Sequence, residues 1–234
     1  MKVIVTGASK GIGRGIASYL AMDGFEVGLL ARSGDLLEDL RETLEEQGGT
    51  CFSAACDLRD PDETSVAIAT IIDGLGGLDA LINNAGVVIR KNAMDLSIEE
   101  WHAMMDTNVN GLFYATRAVL PHFIEQGRGH IINLSSISGK VPLPGGSGYA
   151  ATKFAVSGFS QSLFQEVREH GVKVTTIYPG SVDTESHRHD ASVDTSWKVS
   201  PEEVGRACSY VLRSDPGTLI SELEIRPQNK PPKG

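Results

Sequence analysis

Short, β-branched apolar runs alternate with amphipathic stretches along nearly the whole chain, and several of these runs carry no polar residue at all. A strand that is apolar on both faces must be covered on both faces, which points to a parallel sheet between helical layers. The pattern predicts strands at 3–6, 26–30, 52–55, 80–83, 131–134, 172–178 and 219–225. Helices are expected at 12–22, 36–46 and 149–169. Two further helix starts are legible. Ser97-Ile98-Glu99-Glu100 has the form of a capping box, and Ser200-Pro201-Glu202-Glu203 adds proline at the first helical position. Right-handed βαβ crossovers then give an α/β fold, a single-domain, doubly wound parallel sheet with helices on both faces. Residues 1–226 read as that one domain and 227–234 as a polar, Pro-rich tail. Ligands of such sheets bind beyond the carboxyl ends of the strands, so the residues there are the candidates for chemistry.

Composition removes several function classes. The 234 residues carry a formal net charge of −9, the opposite of the basic face expected of a nucleic-acid binder. No apolar run approaches the roughly 18 residues of a bilayer span, and Met1-Lys2 leads straight into a strand without a signal-peptide pattern. Three cysteines, Cys51, Cys56 and Cys208, form neither a zinc pattern nor an even disulfide set, as expected of reduced thiols in a cytoplasmic protein. No metal site is expected. The pair His187 and His189 lacks further obvious ligands.

Between the first strand and first helix lies Thr6-Gly7-Ala8-Ser9-Lys10-Gly11-Ile12-Gly13. Glycines at 7, 11 and 13 permit a positive-φ turn and let the main chain approach a pyrophosphate that sits on the free N–H groups of the helix. A purely structural turn is the competing explanation. A P-loop is excluded, because no Gly-Lys-Ser/Thr follows. The second strand ends in Ala31-Arg32, where a fold reading the ribose 2′-hydroxyl carries Asp or Glu. Arg32 and Lys10 suit a 2′-phosphate instead, so NADP(H) is expected over NAD(H); two solvated surface charges are the alternative.

Tyr149 and Lys153 lie one helical turn apart and share a helix face. A phenol near pKa 10 is a poor acid-base catalyst at neutral pH. Bringing it to about 7 takes about 4 kcal/mol, more than one exposed ammonium supplies, so a partly dry site or a cationic nicotinamide must help. A packing tyrosine is the bland alternative. Ser136, at the end of the strand Ile131-Ile132-Asn133-Leu134, is placed to hydrogen-bond an oxygen whose charge grows as hydride arrives. Serine-nucleophile chemistry is disfavoured, since no G-x-S-x-G is present.

Taken together, the Thr6 to Gly13 turn, Asn83-Asn84-Ala85-Gly86, Asn108, Ser136, Tyr149, Lys153 and Tyr178-Pro179-Gly180 resemble the short-chain dehydrogenase/reductase family, in order from residue 2 to about 225. The resemblance implies a Rossmann-type fold and hydride transfer between NADP(H) and a carbonyl/alcohol pair. It implies catalytic roles for four residues: Tyr149 as general acid/base, Lys153 lowering its pKa and binding the nicotinamide ribose, Ser136 polarising the carbonyl, and Asn108 supporting a water relay. It also implies cofactor contacts. Gly7, Ser9, Lys10, Gly11, Ile12 and Gly13 would meet the phosphates, with Arg32 at the 2′-phosphate. Asp57 and Leu58 would flank the adenine. Asn84, Ala85 and Gly86 would form the floor, and Pro179, Gly180, Val182 and Thr184 would hold the carboxamide end.

The carbonyl-reductase and 3-oxoacyl-carrier-protein-reductase branch is the nearest in character. A small-molecule carbonyl or alcohol is the expected partner, and a homodimer or homotetramer through 110–124 and 149–169 the expected assembly. Ala151, Ala155, Ser157 and Gly158 would allow close helix approach between subunits, or packing within one. The 185–199 segment, which covers substrate in the family, is short, and a C-terminal arm is doubtful. Val87, Val88, Ile89, Val141, Leu143 and Trp197 are candidate walls of the substrate pocket. His187-Arg188-His189 is a solvated loop or an attractor for an acidic substrate. The rival class is a non-catalytic NADP(H)-binding sensor or scaffold.

Overall fold

The computed structural model describes residues 1–184 and 194–229. Seven strands, β1 (Lys2–Thr6), β2 (Glu26–Ala31), β3 (Thr50–Ala55), β4 (Ala80–Asn83), β5 (Gly129–Leu134), β6 (Val172–Pro179) and β7 (Glu222–Ile225), form one sheet in the order β3-β2-β1-β4-β5-β6-β7. Every pairing is parallel. The order reverses between β1 and β4, and that switch point opens a crevice at the carboxyl edge.

The pleat divides the core. Val3 and Val5 face one layer with α1 (Gly11–Met22), α2 (Gly34–Glu46) and α7 (Pro201–Leu212), through Ile16, Leu20, Leu40 and Val204. Ile4, between them, faces the other layer with α3 (Pro61–Leu75), α5 (Gly111–Glu125) and α6 (Ser147–Val167), through Ile68, Ile71, Phe123 and Leu163. Each fully buried Leu or Ile contributes about 1.5–3 kcal/mol relative to exposure, which is why the expected all-apolar strands hold the centre. Close approach of α1 and α7 depends on Gly15, where a Cβ would come within 2.3 Å of Pro201. No helix among the described residues is long and apolar enough to cross a membrane.

Helix starts follow their caps. Ser97 and Glu100 close the expected capping box at α4 (Ile98–Met105), and Ser200 caps α7. The apolar periodicity alone leaves α3 unassigned, although its punctuation is plain: Asp60 accepts from Asp62 and Glu63 N–H, Pro61 follows, and Gly76 closes the helix at φ +67°. The last strand is shorter than the expected 219–225. The Thr175 hydroxyl donates to the Ile220 carbonyl at 2.7 Å, and the regular ladder begins only at Glu222.

Candidate active site

Thr6 organises the crevice. Its Oγ1 accepts hydrogen bonds from the N–H groups of Asn84 (3.0 Å) and Ala85 (3.1 Å), and Asn84 Nδ2 donates back to the Thr6 carbonyl at 2.9 Å. The loop after β4 is thereby laid against the turn after β1. Contact is close enough that a Cβ on Gly7 would lie 2.8 Å from Ala85 Cα, and one on Gly13 only 2.2 Å from the Gly7 oxygen. Gly7 and Gly11 both have positive φ, +67° and +54°. Helix α1 differs from α3, α4 and α7: no side chain caps it and no acidic residue occupies its first turn. Its first N–H donors and positive dipole end are therefore available to an anion, and with the glycine cradle they fit a dinucleotide pyrophosphate. Thr184 stands over the same turn, its Cγ2 3.4 Å from where a Gly11 Cβ would be. Val182 bridges to Val199, and Gly180 donates to the Ile225 carbonyl, which carries the Pro179-Gly180 turn into the crevice.

Of the residues expected at the cofactor, Lys10 and Arg32 are exposed, and Ser9 and Ile12 are half-buried. Leu58 is buried and would crowd a Cβ on Gly111 at 3.1 Å. Asp57 is engaged by a neighbouring cation. Both its oxygens accept from Arg59, whose guanidinium holds the carboxyl below its usual range with help from the charge of Arg32. Its N–H is bonded to Glu63. Arg59, two residues on, was the signal available for this in the sequence.

The two serines after β5 separate by the pleat. Ser135 faces inward and is consumed by the Lys153 carbonyl (3.0 Å) and Ser157 (3.1 Å). Ser136 lies on the crevice side, accepting from Ser138 N–H at 3.1 Å with its hydroxyl beside the Tyr149 phenol. Ser157, expected to ease helix approach between subunits or packing within one, bonds within this one.

Tyr149 and Lys153, in the first two turns of α6, are 7% and 6% exposed. The Lys153 ammonium lies 5.8 Å from the Tyr149 ring centroid and donates to the Leu134 carbonyl at 2.8 Å. Burial lowers its pKa from 10.5 to about 8. For the Tyr149 phenol, burial raises the pKa above 10, opposed by the Ser136 hydroxyl and by the positive charge of Arg90. The protein alone therefore holds a protonated phenol, the opposite direction from the depression expected of Lys153. Desolvation outweighs both the Ser136 hydrogen bond and the Arg90 charge.

Asn108 sits in a π-helical turn (Asp106–Asn110), a widened geometry frequent at functional sites. Its Oδ1 accepts from Val87 N–H at 2.7 Å. Its Nδ2 donates to the Val87 carbonyl (2.9 Å) and to Thr152 Oγ1 (3.1 Å), and Thr152 in turn donates to the Tyr149 carbonyl. Asn108 thus ties the loop after β4 to the tyrosine helix, with its side chain fully engaged. Among the expected wall residues Val88, Val141 and Leu143 are exposed, at 56%, 46% and 43%. The Trp197 indole N–H is bonded to the Asp194 carbonyl. His187, Arg188 and His189 lie outside the described residues.

A family model described as short chain dehydrogenase matches residues 1–193. The chain belongs to the short-chain dehydrogenase family. Uncharacterised oxidoreductases of Staphylococcus aureus (strain MRSA252) and Staphylococcus saprophyticus are 35% and 34% identical to this family member, each alignment covering 96% of both chains. A closed form of serine dehydrogenase complexed with NADP+ superposes with a TM-score of 0.91 at 33% identity, covering 100% of this chain and 98% of its own. An alcohol dehydrogenase of the archaeon Thermococcus sibiricus, complexed with 5-hydroxy-NADP, gives 0.88 at 28% identity, with 100% and 99% covered. The fold and family expected from the motifs are the ones found.

Proposed function

We propose that this short-chain dehydrogenase is an NADP(H)-dependent oxidoreductase that interconverts a carbonyl and an alcohol, with Tyr149 as general acid/base. The observation that carries the proposal is the convergence of Tyr149, Lys153 and the Ser136 hydroxyl, set beside the phenol, near a glycine turn that fits a pyrophosphate. The serine and alcohol dehydrogenases among the structural relatives, both with NADP-type ligands, support the cofactor and the hydroxyl chemistry.

Gly7, Gly11 and Gly13, with the N-terminus of α1, would hold NADPH in the crevice, where the bound cofactor would supply the hydride. The protein supplies the rest. Ser136 donates a hydrogen bond that orients the carbonyl oxygen and stabilises its growing negative charge. Tyr149, kept protonated by its dry surroundings, gives its phenolic proton to that oxygen, so the products are an alcohol and a phenolate. Lys153, anchored at Leu134 O, stabilises the phenolate electrostatically and offers its remaining protons to the nicotinamide ribose. Asn108 fixes both flanks of the site through Val87 and Thr152. Lys10 and Arg32, exposed at the far end, select the 2′-phosphate.

Assembly as a homodimer or homotetramer is part of the same proposal. Phe113 of α5 and Phe154 of α6 are 44% and 45% exposed, beside an apolar depression lined by Leu112, Val156 and Phe159.

The test follows NADPH oxidation with a panel of aldehydes, ketones, diketones and acetoacetyl thioesters. Turnover abolished by Tyr149→Phe with NADPH affinity retained is the expected result. Tight NADPH binding with no turnover across the panel replaces the enzyme with the sensor class.

A further inference from the structure

Ser136 opens a short helical turn, Ile137–Gly139, that ends at Lys140, and this turn is gripped from two sides. Within it, the Ser136 hydroxyl accepts from Ser138 N–H at 3.1 Å and the Ser136 carbonyl accepts from Gly139 N–H at 2.8 Å. On one side the turn rests on α6: a Cβ on Gly139 would lie 2.4 Å from Ser135 Oγ and 2.7 Å from the Lys153 carbonyl oxygen. On the other side Lys140 reaches to β7, its ammonium 2.7 Å from one Glu222 oxygen and 3.9 Å from Glu224. The same ammonium stands 4.1 Å from the centroid of the Tyr178 ring, which is buried in β6. The second Glu222 oxygen accepts from Gln161 of α6 at 3.2 Å and from the Tyr178 hydroxyl at 3.3 Å. One carboxylate of the last strand thus gathers β6, α6 and the Ser136 turn. A partly exposed ion pair adds little to overall stability. Its consequence here is geometric, because beyond Lys140 the chain continues through exposed Val141 and Leu143 before α6 begins.

We propose that Lys140 is a positioning residue: its tether to Glu222 and to the Tyr178 ring holds the Ser136 hydroxyl where the substrate oxygen gains charge. This rests on the assignment of Ser136 as the hydrogen-bond donor to that oxygen. A donor stabilises a developing charge most when it is already in place, since a displaced one must be brought back during the reaction. Lys140 acts through the main chain of the turn, and Glu222 is the fixed point against which it acts.

The experiment measures kcat and KM at saturating NADPH for wild type, Lys140→Met, Lys140→Arg, Ser136→Ala and the Lys140→Met, Ser136→Ala double variant. The substrate is the aldehyde or ketone of the panel that wild type reduces fastest. Losing such a donor outright costs about 100- to 1,000-fold, so Lys140→Met, which only loosens it, is expected to lower kcat about 10-fold with NADPH affinity unchanged. Lys140→Arg keeps the pair and the ring contact and is expected to recover most of the loss. In the Ser136→Ala background Lys140→Met is expected to cost nothing further, a dependence that general damage to the fold does not produce. An equal loss in both backgrounds, or a disabled Ser136→Ala beside an unimpaired Lys140→Met, refutes the positioning role alone. Full activity in Ser136→Ala refutes the Ser136 assignment and takes the positioning role with it. A second arm needs no turnover: hydrogen exchange at the N–H groups of Ser138 and Gly139, both buried residues. Exchange about 10-fold faster at these two amides in Lys140→Met, with β1 and α1 unchanged, supports the tether; unchanged exchange at both overturns it.

Discussion

Replacing Lys153 by methionine separates what this residue does for catalysis from what it costs the fold. Its ammonium is buried with a pKa of about 8 against 10.5 in the open chain. At about 1.36 kcal/mol per pH unit, the folded protein carries a penalty of about 3 kcal/mol at neutral pH. The sign follows from proton binding. Between pH 8 and 10.5 the unfolded chain holds the Lys153 proton more tightly than the folded one, so stability rises with pH across that window. Below pH 8 both states are charged and the penalty is complete. Raising the pH from 7 to 9.5 therefore relieves about 2 kcal/mol in wild type and nothing in Lys153→Met. Methionine leaves the Leu134 carbonyl without its donor, a loss of about 1–3 kcal/mol that does not vary with pH. Urea unfolding of both apoproteins at several pH values measures the difference, in which titrating groups remote from residue 153, the three cysteines included, cancel, while burial keeps Tyr149 protonated across the window. The expected trace moves in favour of wild type by about 2 kcal/mol as the pH rises, while the variant shows no turnover at any pH. A difference that stays level from pH 7 to 9.5 refutes the depressed ammonium and, with it, the dry environment invoked for Tyr149.

Gly13→Ala drives a methyl group into the Gly7 carbonyl and Asn84 Nδ2, so a stability loss of about 1–3 kcal/mol in urea and a marked loss of NADPH affinity by fluorescence titration are expected. Alanine at both Lys10 and Arg32 is expected to lower the NADPH-over-NADH ratio of kcat/KM about 100-fold; an unchanged ratio places both charges outside the 2′-phosphate site. Because burial raises the Tyr149 pKa, the base form needed for alcohol oxidation accumulates only in alkali. Oxidation is therefore expected to accelerate with rising pH and reduction to slow, with identical profiles in the two directions counting against Tyr149. Phe113→Glu, on the exposed α5 face, is expected to reduce the solution mass in light scattering coupled to size exclusion.

Much of the molecule is legible along the chain because the relevant signals are local. Val3 to Thr6, the glycines at 7, 11 and 13, the Ser97–Glu100 box and the four-residue spacing of Tyr149 and Lys153 each specify their element within a few residues. Helix α3 escapes a reading by apolar period, yet Asp60-Pro61 and Gly76 mark both its ends. Asp57 shows a limit of a different kind. Its place at the end of β3 suits the adenine, but its oxygens are taken by Arg59, and a carboxylate's partners cannot be counted from its own position.

Periodicity and turn chemistry alone determine that this is a parallel α/β sheet with a phosphate-type turn after its first strand and a Ser-Tyr-Lys set beyond it. Which serine faces the crevice, how dry Lys153 is, the upward push on Tyr149 and the reach of Arg90's charge to that phenol are decided only by the packed structure. The division is physical. Backbone preferences act between neighbours in sequence, whereas solvent exclusion and Coulomb interaction depend on distances between residues from different strands and helices. Those distances come into being only when the layers close on the sheet.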